Sequence, residues 1–187
     1  VQPKAADAVS VKVPAIWRGK LDKGIEIIGT HSDEIPAVSI MIALPGGIRA
    51  EGKGELGLAS LTAAMLEQGT TRLSEAELSD ELQKLGASIS VSSAQYNNLI
   101  TISSLADKLP ETLALVREVL LQPGLREADF ERLKTQMLQG MKQSEQQPEW
   151  LAGQAFRELV YGKQNRLGQP SDGALADVEK LTLADVK

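Results

Sequence analysis

Apolar and polar residues alternate in strict order over two stretches of the chain and recur at helical spacing over most of the rest. Val38, Ile40 and Ile42 alternate with Ser39, Met41 and Ala43, which predicts a half-buried strand opened by Pro36 and broken by Pro45-Gly46-Gly47. Ala87, Ile89 and Val91 alternate with Ser88, Ser90 and Ser92, and Ile100 and Ile102 with Thr101 and Ser103. Polar residues from Gln95 to Asn98 turn the chain between these two runs, so an antiparallel hairpin is expected. Nearer the N terminus, Trp17 to Gly24 reads as a strand entering a tight turn, with Gly24 free to take positive φ. Ile25, Ile27 and Ile28 follow as a β-branched run that ends near residues 30–33.

The helical pattern begins at Gly57. Leu58, Leu61, Met65 and Leu66 supply one apolar face between Gly57 and Gly69, a short buried helix closed by glycine. Ser74 and Glu77 have the spacing of a capping box, with Leu73 and Leu78 at the staple positions; Leu78, Leu82 and Leu85 then face one way until Gly86. Leu109, Leu113, Val116 and Leu120 predict the buried stripe of a helix that admits Pro110 in its first turn and stops before Pro123. A longer helix is expected over Glu127–Gln146 with Phe130, Leu133, Met137 and Met141 inward. Another is expected to begin at Pro148, holding Leu151, Ala155 and Leu159, and to end at Gly162. After a loop over residues 163–172, Leu175–Leu181 reads as a short helix and Thr182 with Asp185 starts one more. Strands without regular helical crossovers imply an α+β fold, an antiparallel sheet packed against helices. Residues 1–15, Ala/Val/Pro-rich and without pattern, read as a linker or boundary ahead of one subdomain over 16–187.

Charge and composition narrow the function. The net charge is −5 with scattered Lys and Arg, and there are only six Phe, Trp and Tyr residues, so neither a phosphate-binding stripe nor a base-stacking platform is expected. No stretch has the length of a membrane span. The absence of cysteine excludes disulfides and thiolate–zinc sites and fits a periplasmic or secreted protein.

Few residues offer chemistry. His31 is the sole histidine and cannot form a pair of imidazole ligands. Asp33, Glu34, Glu51, Glu55 and Glu145 could suggest acid–base carboxylates but read as solvated charge in turns and on helix faces. Gly52-Lys53-Gly54 lacks the spacing of a phosphate loop, and Ser60 lacks a nucleophile elbow. The serine-rich strand with Ser88, Ser90 and Ser92 could take up an extended peptide by strand addition, or simply be the solvent face of a half-buried sheet.

In order along the chain, Leu21-Asp22-Lys23-Gly24, Pro36, Gly46-Gly47, the frame Gly57-x-Ala59…Met65…Gly69-Thr70, Leu85-Gly86-Ala87, Pro123, Phe130 and Gln146-Gln147-Pro148 resemble the landmarks of the insulinase/pitrilysin zinc peptidases, peptidase family M16. That resemblance implies a LuxS/processing-peptidase-like fold. In active members the frame carries an inverted zinc motif, His-x-x-Glu-His. Here those positions hold Ser60, Ala63 and Ala64, and the position of the downstream glutamate ligand falls at about Gly140. None is a ligand or a base, so nothing here would activate a water as zinc does.

The resemblance therefore implies an inactive peptidase-like subdomain, ending before the family's second subdomain. It would complete the substrate chamber of a zinc metalloendopeptidase whose other half, in the same polypeptide or a separate subunit, holds the zinc and cuts peptides. The alternatives are a purely structural subunit of the same fold and a hydrolase using unrelated carboxylate chemistry.

Overall fold

The computed structural model describes residues 14–32 and 34–187, which fall into two compact units divided between Pro36 and Ala37. In the first, β1 (Ile16–Lys20) and β2 (Glu26–Thr30) form an antiparallel hairpin. Leu21 and Ile25 close it by a 2.8 Å backbone hydrogen bond. The turn places Lys23 at φ 66° and Gly24 at φ 82°. The glycine was expected there; the lysine occupies a left-handed conformation that asparagine adopts more readily. Trp17 lies opposite Gly29, and its indole covers the space a side chain at Gly29 would fill.

The second unit is a three-stranded antiparallel sheet with helices on one face. Its strands are β3 (Ala37–Pro45), β4 (Ser88–Ser93) and β5 (Asn97–Leu105), in the order β3-β5-β4. The helices are α1 (Leu58–Leu66), α2 (Glu75–Lys84), α3 (Leu109–Leu121), α4 (Glu127–Ser144), α5 (Pro148–Tyr161), α6 (Leu175–Val178) and α7 (Leu183–Val186). The α+β architecture expected from the alternating and helical patterns is present.

Register sorts the two sheet faces. Val91, Ile100 and Ile102 pack with Ala63 of α1 and Val116 of α3, and Ile40 and Ile42 join them. The opposite face is a grid of three rows: Ser39–Ser103–Ser88, Met41–Thr101–Ser90 and Ala43–Leu99–Ser92. No charged side chain occurs in it. A second core joins Leu61 and Met65 of α1 to Phe130 of α4 and to Val178, Leu181 and Leu183, with Leu133, Met137 and Met141 alongside. The capping boxes at Ser74–Glu77 and Thr182–Asp185 both form, and Leu73 and Leu78 are both buried.

Two helices are turned from their expected orientation. On α3 the buried residues are Thr112, Leu115, Val116 and Val119, whereas Leu113 is 40% exposed. Thr112 can be buried because its hydroxyl lies 2.8 Å from the Ser104 hydroxyl and donates to the Lys108 carbonyl at 2.9 Å. On α5 the expected apolar stripe faces outward, with Leu151 at 51% and Leu159 at 86% exposure. Its polar side faces inward: the Gln154 amide donates to the Gly168 carbonyl at 2.8 Å, binding the helix to the turn at Arg166–Gly168.

Candidate functional site

The candidate site is α1 and what meets it. Gly57 starts the helix at φ 104°; a side chain there would strike Val178 and Met137. The start is not capped by a serine or threonine. Instead the Glu51 carboxylate accepts from the amides of Gly57 and Ala59 at 3.1 and 3.0 Å, placing negative charge at the positive end of the helix. Glu51 is held in turn by Arg166 at 2.8 Å, and the two side chains are only 3% and 13% exposed. Arg166 also donates to the carbonyls of Ile48 and Pro170 at 2.9 and 2.8 Å. Glu51 is therefore a structural carboxylate.

At the far end, Gly69 turns the chain at φ 95° and Thr70 is fully buried. The Thr70 hydroxyl donates to Glu118 at 2.7 Å and accepts from the amides of Arg72 and Leu73. Arg126 donates to the carbonyls of Gln68, Thr70 and Leu73, a cation gathering acceptors just past the helix C terminus. Glu118 also pairs with Arg72 at 2.8 Å. These contacts, Arg72 first and then Thr70, hold its carboxyl below the usual range. The Gly-Thr of the frame thus has a structural task that needs no metal.

Between these ends lie the three motif positions. Ser60 and Ala64 are half-buried, while Ala63 is 6% exposed and packs against the sheet. Ala63 borders a groove of about 330 Å³ with Ala59, Thr62, Leu66, Val91 and Ile100. Gly140 is exposed on α4 and borders a different cavity, of about 270 Å³, with Met137, Met141, Glu145 and Trp150. A hydroxyl, two methyl groups and a glycine supply no donor set for zinc. Among the described residues, no three His, Cys, Asp or Glu side chains gather where a cation would fit.

None of the other candidates is on α1. His31 and Glu34 are exposed in the first unit, and Asp33 lies outside the described residues. Glu55 accepts from the Gly52 amide at 2.8 Å, within the turn that contains Gly52-Lys53-Gly54. Ser88, Ser90 and Ser92 lie on the open face of β4, which is an edge strand. Sequence reading missed Arg126 and Arg166 and misread Glu51 as a solvated charge. Their partners lie tens of residues away, beyond any local pattern.

The model for the insulinase family, peptidase family M16, matches residues 27–170. A Helicobacter pylori protein named non-peptidase homolog YmxG is 26% identical over 163 residues, covering 87% of this chain and 38% of that protein. The crystal structure of a peptidase M16 inactive domain from Pseudomonas fluorescens superposes with a TM-score of 0.84 at 25% identity, over 91% of this chain and 42% of that one. The periplasmic protease PqqL of Escherichia coli shares the fold, with a TM-score of 0.76 at 16% identity over 95% of this chain and 21% of that one. The chain thus spans about two-fifths of the length of the first curated relatives that it matches.

Proposed function

The chain belongs to the insulinase family, peptidase family M16, and from that membership we propose that it is a non-catalytic domain of a two-half zinc metalloendopeptidase. The observation that carries the reading is the α1 frame, kept in full with Ser60 and Ala64 at the histidine positions, Ala63 at that of the base and Gly140 near that of the downstream glutamate. In this reading zinc and hydrolysis belong to a catalytic half, fused or separate. This chain supports that half and forms part of the wall around the peptide substrate. The uncharged grid on the open sheet face supports the wall assignment, because its serine, threonine, alanine, leucine and methionine side chains can contact a peptide without selecting its charge. The match to an inactive domain supports the lack of chemistry here. A periplasmic location is proposed from the periplasmic protease of the same fold. Among the described residues, no helix is long and apolar enough to cross a membrane.

The test is to assay the catalytic half on a quenched fluorescent peptide with and without this chain. The chain alone is expected to turn over nothing, and its addition to raise the rate of the catalytic half. Turnover by the chain alone, or a rate indifferent to it, overturns the proposal. The second reading, a structural subunit with no peptidase partner, is favoured by the relative named as a non-peptidase homolog. It predicts that the other half of the parent also lacks His-x-x-Glu-His.

A further inference from the structure

Strand β4 ends the sheet, so one row of its backbone groups points away from β5. In an antiparallel pair such outward groups belong to alternate residues. The Val91 amide is one of them: it donates to the Glu67 carboxylate at 2.6 Å. By alternation, Ile89 and Ser93 point the same way. Four residues before Val91, the Ala87 amide donates to the Leu82 carbonyl at 2.9 Å, tying the start of the strand to the end of α2. Two donors along this edge are therefore taken, with Ile89 between them. Beside the strand runs a groove of about 300 Å³, bordered by Glu67, Glu75, Leu78, Leu82, Ser88 and Ile89.

Glu67 is well placed to hold its post. It is the residue that closes α1, its amide bonded back to the Ala64 carbonyl at 3.3 Å. The next residue, Gln68, is anchored to the same carbonyl through its side chain. The carboxylate thus projects from a fixed helix end onto the edge.

We propose that Glu67 is a latch on the β4 edge: its carboxylate occupies the Val91 amide that an extended peptide must take to join the sheet, and strand addition requires its displacement. The partner so excluded is any extended segment whose carbonyl would pair with Val91. The inference stands on the contact and the strand order, independently of the peptidase reading.

The test uses the full chain, its Glu67→Ala and Glu67→Gln variants, and a blocked peptide with the sequence of residues 98–103, the segment that β4 already pairs with on its inner side. In Glu67→Ala the Val91 amide is expected to exchange hydrogen about tenfold faster, and the peptide to bind about tenfold tighter, than in the unaltered chain. Glu67→Gln keeps an acceptor oxygen and is expected to match the unaltered chain. Should Glu67→Ala not fold, Glu67→Asp, one methylene too short to reach, replaces it. Unchanged exchange at Val91 overturns the proposal. So does equal peptide affinity for the open and unaltered proteins, the absence of binding to both included. A Glu67→Gln variant as open as Glu67→Ala also overturns it.

Discussion

Glu118 shows how much one side chain on α3 holds in place. It receives Thr70 and Arg72 together, and so joins the loop after α1 to α3. The hydrogen bonds from Arg72 and Thr70 hold its folded carboxyl below the ordinary carboxylate range despite its partial burial. A depressed carboxylate stabilises the fold fully above its unfolded pKa, and that contribution is lost as pH falls through the lower folded value. The difference in unfolding free energy between the chain and its Glu118→Gln variant is therefore expected to be constant near neutrality and to shrink below about pH 4.5. Urea melts at several pH values measure it, and a difference that grows on acidification contradicts the assignment. Thr112 is the residue that periodicity misjudged. A threonine scores as polar in a pattern, yet a hydroxyl with two partners can sit in the core where Leu113 does not.

Among the elements, α1 depends most on distant residues. Removing Arg166 leaves the Glu51 carboxylate buried and unpaired against the helix N terminus. Arg166→Met is expected to cost about 3–5 kcal/mol, and the double variant with Glu51→Gln less than the sum of the two single changes. A double-mutant cycle by urea unfolding reads this directly, and strict additivity would remove the pair from the account. Element identity was legible where the signal is local. The Ser74–Glu77 and Thr182–Asp185 boxes need only a spacing of three residues, and the β4–β5 hairpin needs only alternation. The orientation of α5 was not legible. Its Leu151 and Leu159 recur at core spacing, but the partner of the helix within this chain is the Arg166–Gly168 turn, which engages Gln154 instead. The three motif positions could be placed on one helix from sequence. Gly140 facing a different cavity from Ala63 could not, because that depends on how α4 packs against α1.

At the scale of the whole molecule, the chain has the fold of the insulinase family, and among the described residues no cluster of metal-binding side chains forms. After dialysis the chain is expected to retain no stoichiometric zinc. Metal analysis finding about one tightly held zinc per chain would refute this. The same framework has a consequence for how the polypeptide is made. Glu51 and Arg166 lie 115 residues apart, and Leu56 likewise bonds to Asp177 across 121 residues. On the ribosome, α1 emerges long before the segment that secures its entrance. Vectorial synthesis therefore leaves the first core helix of this unit unfinished until residues 166–177 have been translated, the interval in which a nascent chain needs shelter from proteases and from its neighbours.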